Sequence, residues 1–152
     1  MVLLQAYGEL MDRAPQYAPR YLHLLDSLAA KPPPDPLLEA ALGRRALKEG
    51  GAGATSGAVE HLTKAVKLGF TGATAFEDLA TALSAQGKTN DAIEVLKHGI
   101  ELSPYAPRLY KSLVLQYINS AQYGPAKATM QQYLEIFPED DFMRDLLRKV
   151  GG

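Results

Sequence analysis

Three histidines are the side chains best suited to metal binding or proton transfer near neutral pH. His23 and His61 stand at equivalent places in a periodic pattern set out below, and His98 lies three residues further along its own period. A zinc centre needs three or four ligands at short spacings that one helix face presents, as in HExxH, and no such pattern occurs. Packed helices stand about 8–10 Å apart, so histidines on successive helix pairs are separated by about 10 Å or more. The three are therefore read as surface or half-buried side chains, and no metal or other cofactor is expected.

The carboxylates fare no better as catalysts. Glu139, Asp140 and Asp141 open a helical segment, where unpaired backbone N–H groups favour acidic side chains. Glu9 with Asp12, and Glu77 with Asp78, lie on helical segments near basic residues and read as solvated faces. The stretch GGAGATSG, Gly50 to Gly57, lacks the terminal Gly-Lys-Ser/Thr and the preceding strand of a phosphate loop. It is expected to be an extended, mobile turn between two helices. No G-x-S-x-G supplies a serine nucleophile. No enzymatic chemistry follows from any of these residues.

What must position the side chains is a repeat. QYAP at Gln16 returns as QYGP at Gln122, 106 residues later, and the apolar segments that follow close at Pro32 and Pro138. Pro104 stands 34 residues before Pro138, and Phe70 stands 34 before Pro104. The four extra residues fit the linker PPPDP and the stretch Gly51-Ala52-Gly53, so 106 is three periods of 34 plus four. Within a period the apolar residues fall at helical spacing: Phe76, Leu79, Ala80 and Leu83 form one stripe, and Ala92, Leu96, Gly99 and Ile100 another. Gly87 between them suits a left-handed helix stop, Asn90 or Asp91 a new start, and Pro107 a first helical turn. No segment sustains a period of two, so the chain is expected to be all-α.

Composition agrees with a folded chain, since 47% of its 152 residues are apolar. The longest apolar run falls well short of the roughly 20 residues that span a bilayer, so no membrane span is expected. Sixteen basic against seventeen acidic residues give a net charge of −1, without the basic excess of a nucleic-acid binder. The absence of cysteine excludes disulfides and leaves the compartment open, cytoplasmic or exported.

The 34-residue helix-turn-helix period resembles the tetratricopeptide repeat over nearly the whole chain. Small residues midway along the first helices are Gly8, Gly43, Ala80 and Val114, preceded by Tyr7, Leu42, Leu79 and Leu113. Small residues early in the second helices are Ala58, Ala92 and Ala126, and the closing prolines are Pro32, Pro104 and Pro138. Departures are Arg20 at a small position, Glu39 where an aromatic is usual, and Phe70 for a closing proline. The resemblance implies a right-handed superhelical solenoid in a single domain, residues 1–152, with units of about 1–34, 36–72, 73–106 and 107–140. A cap helix over 141–150 would follow. Met1 falls on the first residue of a unit with no cap before it, so the chain is expected to be part of a longer protein. Tyr17 and Tyr123 are expected to pack between helices, as are Tyr110, Tyr117 and Tyr133, with Tyr105 exposed at a turn.

The same resemblance implies a protein-interaction scaffold whose first helices line a concave groove for a peptide or partner protein. Groove residues are then Gln5, Glu9 and Asp12; Ala40, Arg44 and Lys48; Thr74, Glu77 and Thr81; and Arg108, Lys111 and Leu115. Arg44, Lys48, Arg108 or Lys111 would hold a partner's carboxylate. The fixed lysine–asparagine clamp by which one subclass holds acidic chaperone C-termini is not matched, because its first two places carry Gln5 and Glu9. Two other roles stay open: self-association, for instance through the Phe142/Leu146 side of the cap, and service as an accessory domain of a larger enzyme or secreted protein.

Overall fold

The computed structural model describes Gln16 and residues 18–29 and 35–150. Among the described residues there are eight helices and no strand. The chain divides into two compact units, residues 1–70 and 71–152.

In the first unit, helix α1 (Ala18–Ala29) carries Pro19 in its first turn, where a missing N–H costs nothing. Tyr21 and Leu25, four residues apart, form its buried stripe. They pack on Leu38, Ala41 and Leu42 of α2 (Pro36–Glu49), and Arg45 of α2 pairs with Asp26 of α1. Asp35 caps α2: its Oδ1 accepts the backbone N–H groups of Leu37 at 2.9 Å and Leu38 at 3.0 Å. Helix α3 (Ala52–Lys67) then packs closely along α2. A Cβ added at Gly43 would stand 2.5 Å from Leu62 Cγ and 3.1 Å from the Leu62 backbone nitrogen, so only glycine permits this approach.

The stretch GGAGATSG is not an extended turn. Gly50 and Gly51, at φ +71° and +84°, reverse the chain in two residues, and Ala52 already begins α3. Thr55 seals that start, its backbone N–H and its hydroxyl both donating to the Gly51 carbonyl at 2.9 and 2.8 Å. The three additional residues thus lengthen a helix rather than a loop. Helix α3 ends through Gly69, at φ +88°, with the Phe70 N–H donating to the Ala65 carbonyl at 3.0 Å.

The second unit holds α4 (Ala73–Ala85), α5 (Thr89–Leu102), α6 (Pro107–Asn119), α7 (Tyr123–Ile136) and α8 (Asp141–Val150). The stripe Phe76, Leu79, Ala80 and Leu83 is buried, as are Ala92, Leu96 and Gly99 opposite it. Gly99 lies tight against Phe76 and Leu109, where an added Cβ would come to 2.8 and 3.2 Å. Helix α5 starts one residue before Asn90, at Thr89, without a side-chain cap, and Asp91 serves its first turn. Tyr110, Val114, Ala126, Met130, Tyr133 and Met143 make the second core cluster, with Tyr117 partly buried against it. Tyr123 departs from expectation: as the first residue of α7 it points outward and is exposed, like Tyr105.

In the second unit the turns between paired helices follow one pattern. Gly87 sits at φ +76°, and the next N–H, that of Lys88, donates to the Leu83 carbonyl at 2.9 Å. Thirty-four residues on, Ala121 occupies the same left-handed position at φ +56°, with the Gln122 N–H donating to the Tyr117 carbonyl at 2.8 Å. Alanine carries a Cβ clash there of about 1–2 kcal/mol, against a glycine entropy cost of about 0.5–1 kcal/mol.

Two stability outcomes follow. Ala121→Gly is expected to raise the unfolding free energy by about 0.5–1 kcal/mol in urea denaturation, and a loss would contradict the strained turn. Leu96→Ala, emptying a site with no solvent exposure, is expected to cost about 2–5 kcal/mol; a change within about 0.5 kcal/mol, the surface range, would remove Leu96 from the core.

Candidate functional site

The residues expected to meet a partner fall in both units. Gln5 and Glu9, and with them Asp12, lie outside the described residues. In the first unit Ala40 is buried, Arg44 is half-buried and Lys48 is exposed on α2. The same helix holds a buried carboxylate: Glu39, its side chain only 7% exposed, bonds to His61 Nδ1 at 2.8 Å and to Lys64 Nζ at 2.5 Å, both on α3. Burial pushes the Glu39 carboxyl up, but the hydrogen bonds from His61 and Lys64 outweigh it and leave the group below its usual value. Glu39 therefore stays ionised, and the cluster ties α2 to α3.

In the second unit the first helices of two successive repeats, α4 and α6, lie side by side and are joined by rungs. Glu77 Oε2 meets Arg108 Nη1 at 3.3 Å, and Ser112 Oγ donates to Glu77 Oε1 at 3.3 Å. Further along, Ser84 Oγ donates to Gln116 Oε1 at 2.9 Å. Thr81 lies on α4 between these rungs, its hydroxyl turned back to the Glu77 carbonyl at 2.9 Å, and is exposed. Leu115, one residue before Gln116, is 55% exposed. The second unit thus brings Glu77, Thr81, Arg108, Lys111 and Leu115 onto one pair of adjacent helices.

Neither cation of this face is unpaired. Arg108 is held by Glu77, and Lys111 Nζ donates to Asp140 Oδ2 at 2.7 Å while lying 5.7 Å from the centre of the Tyr133 ring. Asp140 is also the helix cap of α8, since its Oδ1 accepts the Met143 N–H at 3.0 Å, and its Oδ2 accepts the Tyr133 hydroxyl at 2.7 Å. Donation from Lys111 first, then from Tyr133 and the Met143 N–H, lowers the Asp140 carboxyl to about 2. Its bond to Asp140 in turn raises the Lys111 ammonium. Asp140 was legible as a helix-opening carboxylate, but its partner Lys111, 29 residues earlier, was not.

The 34-residue register also runs on into α8. Met143 falls at the place of Leu109 and is buried like it, while Phe142 falls at the place of Arg108 and is 70% exposed. Phe142 therefore belongs to the exposed face of the first helices, a membership that counting by 34 from Arg108 reveals. Leu146, paired with it as a possible self-association surface, instead packs against the core cluster.

No protein-family model matches the chain. No curated protein matches it either. Among solved structures it is similar to a chain of the Cut9–Hcn1 hetero-tetramer of the APC/C, at 24% identity and a TM-score of 0.70, covering 86% of this chain and 26% of that one. The chain thus spans about a quarter of that relative's length. It is similar to a thermophilic TPR protein of Thermus thermophilus at 16% identity and a TM-score of 0.68, covering 97% and 88% of the two chains. It is also similar to the first TPR of Spaghetti (RPAP3), a structure bound to the HSP90 peptide SRMEEVD, at 18% identity and a TM-score of 0.62, covering 76% and 92%. The fold is that of tetratricopeptide-repeat proteins: all-α, built of helix-turn-helix repeats.

The Asp140 network sets a pH dependence. Unfolded, this carboxyl titrates near 3.8; folded, it titrates at about 2, so the unfolded chain takes up the proton first. The stability it contributes is full above roughly pH 5 and is lost as the pH falls through about 2. With allowance for solvent screening, wild type is expected to exceed Asp140→Asn by about 1 kcal/mol at neutral pH, the gap closing toward pH 2 in urea titrations. A gap that ignores pH would contradict the assignment.

Proposed function

We propose that the chain is a protein-interaction module that receives a peptide or a partner's segment on the exposed faces of its first helices, with no bond-making step. The observation that carries this reading is the continuous surface of α4 and α6, in which the Glu77–Arg108 and Ser84–Gln116 rungs fix two helices and leave Thr81 and Leu115 open to solvent. Rigid helices with locked side chains present a preformed surface, which lowers the ordering cost of binding. The solved peptide complex of Spaghetti (RPAP3) supports the same use of the fold. Residues of the site in this reading are Glu77, Thr81, Arg108, Lys111 and Leu115, all of the second unit. Arg44 and Lys48 of the first unit, with Gln5 and Glu9, are proposed for the same role in their own repeats by register alone.

Charge reversal at Lys111 also breaks the tie to α8, so Leu115 is the cleaner probe: it is exposed and outside both core clusters. Leu115→Arg is expected to leave helix content and unfolding free energy within about 0.5 kcal/mol of wild type and to remove most partners captured by the immobilised wild-type chain, read by mass spectrometry. Capture of the same partners in the same amounts would overturn the reading.

A further inference from the structure

Resting on that reading of the α4–α6 face, we infer that Asp140 is a built-in competitor for a partner's carboxylate at Lys111, so that recognition of acidic segments is coupled to the capping of α8. The geometry places a carboxylate where an acidic ligand's would go. Asp140 Oδ2 sits 2.7 Å from Lys111 Nζ, and the ammonium lies over the Tyr133 ring, so both groups are held in place before any partner arrives.

The competitor is also tied down from its own side. Its second oxygen caps α8 through the Met143 N–H at 3.0 Å, and the Tyr133 hydroxyl donates to the first at 2.7 Å. A partner's carboxylate therefore has two routes to Lys111. It shares the ammonium with Asp140 and meets like-charge repulsion at close range, or it displaces Asp140 and strips α8 of its cap. Both routes penalise acidic segments. Arg108 repeats the arrangement on the same helix, with Glu77 Oε2 at 3.3 Å as its own carboxylate. The face as built discriminates against acid and favours a neutral or apolar segment lying along Thr81 and Leu115. Removing the Asp140 charge converts Lys111 into an open anion site.

Asp140→Asn is the direct test: with its amide oxygen on the Met143 N–H, asparagine still caps the helix. Its NH2 takes the place of the oxygen that holds Lys111, and donates to the Tyr133 hydroxyl instead of accepting from it. A labelled tetraglutamate peptide serves as probe, with tetraglutamine as control, in fluorescence anisotropy at low salt. The Asn variant is expected to bind tetraglutamate about fivefold or more tighter than wild type. The gain should vanish in about 0.5 M salt and on adding Lys111→Gln, with tetraglutamine unaffected. Equal affinity of wild type and Asp140→Asn, including no binding by either, overturns the inference, as does a gain that survives Lys111→Gln.

A second readout needs no variant. Tetraglutamate titrated to high concentration into the wild-type chain should shift the Met143 amide resonance, reporting release of the cap, and an unmoved Met143 amide in a peptide-bound sample overturns the coupling. Failure here is separable from failure of the general reading. Loss of captured partners in Leu115→Arg stands whether or not Asp140 competes.

Discussion

The close approach of paired helices at small residues is the constraint on which the rest of the structure depends. Gly43 lets α3 come so near α2 that a methyl group would collide with Leu62, and Gly99 does the same for Phe76 and Leu109. Ala58, Ala92 and Ala126, early in the second helix of each pair, have no solvent exposure. With no room between backbones, the large apolar residues must sit beside the contact rather than in it, which gives each helix one narrow buried stripe. The opposite face of α4 and α6 is then left to solvent, with polar residues and Leu115 on it. That exposed face is a by-product of the packing.

Glu39 shows how far the packing rule tolerates a change of chemistry. Its place in the repeat is that of Phe76 and Tyr110, and all three side chains are buried. Lys64, which bonds Glu39, falls at the place of His98, which packs edge-on against Phe76 with ring centres 5.8 Å apart. One contact between a first and a second helix is thus made as an ion pair in one repeat and as an aromatic pair in the next. A buried carboxylate is tolerated only because His61 and Lys64 both donate to it, since their bonds outweigh the desolvation cost of the charge. The exchange keeps the helices together with directional bonds where shape alone serves elsewhere.

Much of this was legible in the sequence, for reasons that are local. Apolar spacing marked Phe76, Leu79, Ala80 and Leu83 as a buried stripe, Gly87 as a left-handed stop and Pro107 as a helix start, because each rests on backbone geometry within a few residues. The glycine content after Gly50 suggests a loop, yet a helix begins at Ala52. Two glycines suffice for the reversal, and the alanines and Thr55 after them are content in a helix. The repeat resemblance points Tyr123 inward, while the first turn of α7 turns it outward. The rungs were invisible for a different reason. Glu77 finds Arg108, and Lys111 finds Asp140, only through the way neighbouring elements come together, which no spacing along the chain encodes.

Those rungs change what the site means. Read along the sequence, Arg108 and Lys111 are two cations facing a groove; in the folded chain they are two halves of ion pairs on a nearly neutral surface. These two cations and two carboxylates balance one another, as sixteen basic and seventeen acidic residues nearly do over the whole chain. The register carries the same logic into α8, where Phe142 stands at the place of Arg108 and replaces a cation with an aromatic ring. Helix α8 is built on the pattern of a first helix: Met143 is buried where Leu109 is, and Asp140 fastens its start to Lys111 of the preceding repeat. The element that packs on the second core cluster through Met143 is in this way also the element that supplies the counter-charge of Lys111. The cap of α8 and the counter-charge of Lys111 therefore rest on one carboxylate.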